Sequence, residues 1–423
     1  MLVERIVAGD SGEEMGSNGT NGVPQERELE IGKGAEKIKI ATGLSTFPVS
    51  LLAPFATLTT LDLSGNTHLS TLPKEISRLH VLKIAFFSNC SFHTFPIELA
   101  KCRSLEMVAF KSNAMHTIPE HAFPRKLRWL ILTNNALTSL PQSIGSCEAL
   151  QKCMLAGNRL QALPEGMARC RKLGLLRLSS NELGEVPSWV FGMPELSFLS
   201  FAGNPCSVQL QETEGRGLEE IPWREVEIAA LLGEGASGVI SKARWGGRDV
   251  AVKVFKGAVT SDGSPIDEMA ATIAAGSHAN LINPLGRLSS SGDYTSKQGL
   301  VLQLIPPSYT NLGLPPTLDS CTRDSFPPGT TLSLRTVVGI LRGIASAAAH
   351  LHGRGISHGD LYAHNILLDT TTGHALLGDF GAATVYGGAG STHDVALERL
   401  EVLGFGHLVE DLLGLLVVEC DGG

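Results

Sequence analysis

An asparagine returns every 22 to 24 residues across the first half of this chain, at Asn66, Asn89, Asn113, Asn135, Asn158, Asn181 and Asn204. Apolar residues stand three, five and eight places before each one. Before Asn135 they are Leu132, Leu130 and Leu127, and before Asn181 they are Leu178, Leu176 and Leu173. A period of this kind marks stacked repeats, because one short repeat cannot bury its own apolar face until a neighbour covers it. The LxxLxLxxN spacing turns alternate side chains of a short strand inward. The asparagine amide then has only the backbone of adjacent turns to bond with. Leu137, Leu140 and Pro141, and the matching Leu160, Leu163 and Pro164, close the convex side with irregular or short helical segments. Leu44, Phe47 and Pro48 read as half a repeat that caps one end, and Pro205 marks the other.

This first half resembles the intracellular leucine-rich-repeat family, over about residues 36–210. The resemblance implies an α/β solenoid with a protein ligand on its concave face. The exposed strand positions there include Lys83, Lys111, Trp129, Lys152 and Arg177. The repeats are expected to take no part in chemistry. Cys102, Cys147 and Cys170 recur in step ahead of leucine-rich strands, which is a packing pattern, and no CxxC spacing occurs.

At 423 residues the chain exceeds one ordinary core of about 150 residues. Residues 1–35 are acidic and rich in Gly and Ser, and read as a disordered tail. They lack a secretory apolar region, and Leu2 does not permit N-myristoylation. A net charge of −8 argues against nucleic acid as a partner. No apolar run of about 18 residues suggests a membrane span. The expected location is the cytoplasm.

Residues 211–227 read as a polar linker, and residues 228–423 as a second domain. It opens on Leu232-Gly233-Glu234-Gly235-Ala236-Ser237-Gly238-Val239-Ile240, a glycine turn running into a strand. Thirteen residues after Ile240 comes Lys253, ending the strand Val250-Ala251-Val252-Lys253. Glycines let a backbone lie close over phosphates, where a Cβ would collide. A lysine there needs a carboxylate to hold it. Glu268 fits, with Asp267 as its rival, on an alanine-rich helical segment. Leu300 to Ile305 reads as a buried strand entering a hinge, with Leu302 as gatekeeper and the Gln303 to Ile305 backbone facing an adenine edge. The proline-rich stretch from Pro306 to Thr330 reads as an insertion. Then comes His358-Gly359-Asp360-Leu361-Tyr362-Ala363-His364-Asn365, with Asp360 and Asn365 five apart, and fourteen residues later Asp379-Phe380-Gly381.

Five elements in this order resemble the two-lobed α+β protein kinase fold, of the tyrosine-kinase-like and serine/threonine type. The resemblance implies that the glycine turn and Lys253 bind ATP, and that Ile240, Ala251 and Leu367 sandwich the adenine. It makes Asp360 the catalytic base acting on a protein hydroxyl, taken as Ser or Thr. Asn365 and Asp379 would hold Mg2+, and His358 and Phe380 would join the packed spine. Four departures stand out. Gly359 replaces the arginine beside the catalytic aspartate. Tyr362 and His364 stand where a cation is usual. Ala396-Leu397-Glu398 follows Gly381 closely as the end of a short activation segment. The buried helix expected near Glu401 is nearly the last element, so the large lobe reads as incomplete, with Leu408, Leu412, Leu413, Leu415, Leu416 and Val417 short of cover. Two readings follow: an active kinase guided by its repeats, or a repeat scaffold carrying a pseudokinase-like domain.

Overall fold

Each repeat contributes one three-residue strand: β1 (Lys37–Lys39), β2 (Thr60–Asp62), β3 (Ile84–Phe86), β4 (Met107–Ala109), β5 (Trp129–Ile131), β6 (Lys152–Met154), β7 (Leu175–Arg177) and β8 (Phe198–Ser200). They pair in parallel in chain order as one eight-stranded sheet. The computed structural model describes residues 34–208, 218–235, 237–257, 259–289, 298–386 and 392–416. The expected N-terminal tail, apart from its last two residues, lies outside the described residues. The middle residue of each strand from β2 onward faces the core: Leu61, Ala85, Val108, Leu130, Cys153, Leu176 and Leu199 are all buried. Its two neighbours face the concave side. On the convex side, Pro73, Pro96, Pro141, Pro164 and Pro187 each precede a single helical turn, the last being α1 (Ser188–Phe191). Proline suits that place because its fixed φ starts a turn and it has no N–H to leave unsatisfied.

The asparagines form the expected internal ladder. Asn181 Nδ2 donates to Leu155 O at 3.0 Å and Leu178 O at 2.8 Å, while its Oδ1 accepts the Leu160 N–H at 3.0 Å. Asn66, Asn113, Asn135, Asn158 and Asn204 repeat the pattern. Asn89 does not. It is exposed, with φ of 54°, and Cys90 takes its place, its thiol donating to Leu63 O at 3.3 Å. The register of that repeat is therefore one residue later than expected, with Leu82, Ala85 and Phe87 inside. Cys102, Cys147 and Cys170 are packed as expected, and burial pushes their thiols up to about 12, 12 and 11.

The second half has two lobes. The small one is a six-stranded sheet built from β9 (Glu219–Pro222), β10 (Val226–Glu234), β11 (Gly238–Trp245), β12 (Arg248–Phe255), β13 (Pro284–Ser289) and β14 (Gly299–Gln303), with α2 (Pro265–Ala275) beside it. β9, read from sequence as connector, pairs in parallel with β13. In the larger lobe β15 (Tyr309–Asn311) pairs with β17 (Ile366–Asp369), and β17 with β18 (Ala375–Leu377). Helix α3 (Leu334–His352) packs beneath them, and β16 (Ile356–Ser357) pairs with β19 (Thr384–Val385). The proline-rich insertion is ordered: Arg323 grips Asp411 through two bonds of 3.1 and 2.6 Å.

The last helix, α4 (Thr392–Leu413), corrects two expectations. It begins well before Glu401, and it absorbs Ala396, Leu397 and Glu398, so this triplet is helix and not the end of an extended segment. Leu408 and Leu412 are fully buried, and Leu415 and Leu416 pack partly against the same core. Leu413 is exposed, and Val417 lies outside the described residues. Part of the cover comes from the solenoid. Leu397 and Leu400 belong to its apolar core, and α4 packs on β8 and α1. At Gly404 the helix backbone passes so close that a Cβ would stand 3.3 Å from Ser197 O.

Candidate active site

Strand β12 carries Lys253 toward α2, whose first turn is set by Ser264 accepting the Ile266 N–H at 3.2 Å, with Pro265 following. That start places Glu268 against Lys253 as an ion pair. Its rival Asp267 turns instead toward Gly203 of the solenoid. Burial pushes the Glu268 carboxyl up, and the Lys253 charge opposes it. Glu268 Oε2 has no hydrogen-bond partner among the described residues. The glycine turn joins β10 to β11, closed by Gly235 N–H to Gly238 O at 2.9 Å. Any Cβ at Gly238 would meet Val254 O at 2.6 Å, while Gly233 and Gly235 face open space. Lys256 holds the turn through Glu234 at 2.7 Å and Gly235 O at 3.0 Å. Ala236 lies outside the described residues.

Ile240, Ala251, Leu302 and Leu304 share one apolar cluster. Leu367 is half-buried on β17 in the other lobe, and Leu232 and Val239 flank the turn. The Gln303 N–H is taken by Asn283 O at 3.0 Å. This narrows the expected adenine edge to the Gln303 carbonyl and the Ile305 backbone.

The loop after β16 presents Asp360. Asn365 Nδ2 donates to Asp360 O at 2.9 Å and Oδ2 at 2.8 Å. His358 Nε2 bonds Gly378 O at 2.8 Å, and its ring lies 5.3 Å from that of Phe380. Glu401 supports the loop from below: it accepts the Gly359 N–H at 2.9 Å and meets His352 Nε2 at 2.5 Å. Asp379 has a φ of 57°, a left-handed conformation that Asp tolerates, and accepts the Gly381 N–H at 3.1 Å. Around Gly381 the Asp379 carboxylate comes near Glu268: a Cβ there would stand 3.1 Å from Asp379 Oδ1 and 3.9 Å from Glu268 Oε2.

Several participants were not anticipated from sequence. Lys152 and Arg177, expected as exposed strand positions, are each only 1% exposed, because the loop carrying Asp360 and Tyr362 lies on the concave face. Arg177 donates to Gly359 O at 2.7 Å and to Asp262 Oδ1 at 3.0 Å, and pairs with Asp360 Oδ1. Phe198 stacks on Tyr362 with ring centroids 4.0 Å apart. Lys152 Nζ lies over the rings of Trp129 at 4.5 Å and Tyr362 at 5.3 Å. Burial raises the Asp360 carboxyl, but the Arg177 guanidinium leads several neighbours that outweigh it and hold the group below the ordinary carboxylate value.

Asp324 braces the same loop, accepting the Ala363 N–H at 2.7 Å. Burial pushes its carboxyl up to about 7, against the pull of that bond. The folded protein therefore binds this proton more tightly than the unfolded chain does. The stabilisation is present below about pH 4 and is lost as pH rises to about 7, at no more than about 1.4 kcal/mol per pH unit. Melting temperatures taken between pH 5 and 8 should fall with pH in the native chain and fall less in Asp324→Asn. Parallel curves would show that Asp324 is ionised throughout.

Residues 226–399 match the model described as protein kinase domain, and residues 125–183 and 57–79 match two leucine-rich-repeat models. The chain joins leucine-rich repeats to a protein kinase domain. Identity is 29% over 167 residues with a probable serine/threonine-protein kinase of Dictyostelium discoideum, covering 39% of this chain and 9% of that one. It is 29% over 193 residues with a probable L-type lectin-domain containing receptor kinase of Arabidopsis thaliana, covering 45% and 28%. It is 30% over 175 residues with a fibroblast growth factor receptor homolog of Drosophila melanogaster, covering 39% and 23%. The chain spans less than a third of the length of these relatives. Among the described residues no helix is long and apolar enough to cross a membrane.

Proposed function

We propose that this leucine-rich-repeat kinase transfers the γ-phosphate of ATP to a Ser or Thr hydroxyl of a protein. The observation that carries this reading is the Lys253–Glu268 ion pair in one lobe together with Asp360 held by Asn365 in the other. In this reading Lys253 meets the α and β phosphates, held by Glu268, and the glycine turn lies over the nucleotide with no side chain in the way. Asp360 orients the acceptor hydroxyl and takes its proton.

Magnesium fits the residues present. The Asn365 nitrogen is committed to Asp360, which leaves its carbonyl oxygen as a ligand atom to act with the Asp379 carboxylate. Hard oxygens from two side chains, completed by phosphate and water, are what Mg2+ takes. Bound there, it would neutralise charge on the phosphates. The relatives named as serine/threonine kinases favour that acceptor class. The seven free cysteines among the described residues suit a reducing cytoplasm. A protein ligand is assigned to the concave strands nearer the N-terminus, where Lys37, Lys39 and Lys83 are exposed.

Saturating Mg·ATP should raise the melting temperature, as about 2.7 kcal/mol of added stability does at one hundred times Kd. Asp379→Asn should remove the magnesium-dependent part, and Lys253→Met should abolish ATP turnover. No shift at millimolar Mg·ATP would exclude the reading.

A further inference from the structure

The concave face of the solenoid ends on the kinase domain's catalytic loop, and it takes the side from which an acceptor must approach. Both carboxylate oxygens of Asp360 are engaged: Oδ2 by Asn365 at 2.8 Å, Oδ1 by Arg177. The Arg177 fork is itself filled by Asp262, Gly359 O and Asp360, so it has no obvious spare face for a phosphate. Two residues beyond Asp360, Tyr362 lies flat under Phe198, with Lys152 over its ring and Leu175 in the same cluster. Gly359 completes the fit. It has a φ of +69°, and a Cβ there would stand 2.8 Å from Leu199 O and 2.6 Å from Ala382 O. The solenoid also meets the segment before α2, through Arg177 to Asp262, but Lys253 and Glu268 remain paired.

The seam also carries a sign that it opens. Trp129 Nε1, Tyr362 OH and His364 Nδ1 are buried with no hydrogen-bond partner among the described residues. A buried polar atom left unpaired costs about 1–3 kcal/mol, and water would satisfy all three once the faces part. The apolar packing of Leu397 and Leu400 on the solenoid carries no such penalty.

We propose that the solenoid inhibits its own kinase domain in cis: Arg177 caps Asp360, and Phe198 and Lys152 cover Tyr362, so the closed chain binds nucleotide but admits no protein hydroxyl. This rests on the kinase reading above. An activating ligand of the concave face would act by displacing the loop.

The test uses the full chain, Arg177→Gln, Phe198→Ala and the double variant. Circular dichroism confirms that each folds. Three readouts follow: phosphate transfer from Mg·ATP to casein, the Mg·ATP melting shift, and hydrogen exchange over residues 356–365. The expected result is transfer raised roughly tenfold or more, as loss of about 1.4 kcal/mol of closing free energy requires. Exchange in the loop should quicken, with the Mg·ATP shift kept. Faster exchange with unchanged transfer would overturn the proposal. So would lower transfer with the Mg·ATP shift intact, which would make Arg177 a residue that positions Asp360 for reaction. If even the double variant leaves the loop protected, the seam is a permanent joint and the proposal falls. Absence of any Mg·ATP shift in all four proteins would instead sink the kinase reading, and the inhibition with it.

Discussion

A chain lacking the solenoid, residues 36–210, will not hold the fold of its kinase domain. Leu397 and Leu400 of α4 are buried in the solenoid's core, and Tyr386 packs against it. Exposing two leucines forfeits about 1.5–3 kcal/mol each. Asp262 and Asp360 lose the guanidinium that holds them together. Set against a typical domain stability of about 5–15 kcal/mol, these losses remove most of the margin. The shortened chain should be recovered mainly as aggregate and show no cooperative melting. A soluble product that melts within a few degrees of the full chain would show that α4 finds its cover elsewhere. The repeats are thus structural members of the kinase domain, contrary to the separable arrangement that the sequence suggests.

Asn181→Ala should cost the solenoid about 2–5 kcal/mol, because it leaves Leu155 O, Leu178 O and the Leu160 N–H without their partner in a place water does not reach. Asn89→Ala should cost only about 1 kcal/mol, since that side chain is exposed and the loss is confined to its left-handed backbone at a φ of 54°. Denaturant melts of the two variants check the contrast. A large loss at Asn89 would restore the register expected from the repeat count. Cys90→Ala, which removes a weak thiol donor and leaves a small void, should fall between the two.

The two Asn substitutions also mark what was legible before the fold was known. The ladder could be read because each repeat reports on itself within some eight residues. It slipped at Asn89 because the neighbouring register is equally apolar: Val81, Ile84 and Phe86 against Leu82, Ala85 and Phe87. Only burial separates them, and a cysteine does not announce that it replaces an amide. The Lys253–Glu268 pair was legible for a similar reason, with the partners fifteen positions apart and a helix start fixed by Ser264 and Pro265. Arg177 was not. It meets Asp360 across 183 positions, and a contact between such distant segments leaves no periodic trace in either. Its strand position reads the same whether it faces water or a neighbouring domain. The start of α4 at Thr392 is not marked in the sequence near Glu401, although the helical pattern runs through Leu397 and Leu400 before it.

Gly359 makes the two halves of this protein a matched pair. At that position the solenoid backbone comes closer than any side chain permits. A kinase domain borrowed from another chain, with the usual arginine there, could not be seated on these repeats. Nor could this domain regain that arginine by a single substitution while it stays docked. Exchange of modules, the common route by which repeat proteins acquire new outputs, is closed to this chain unless the loop and strand β8 change together.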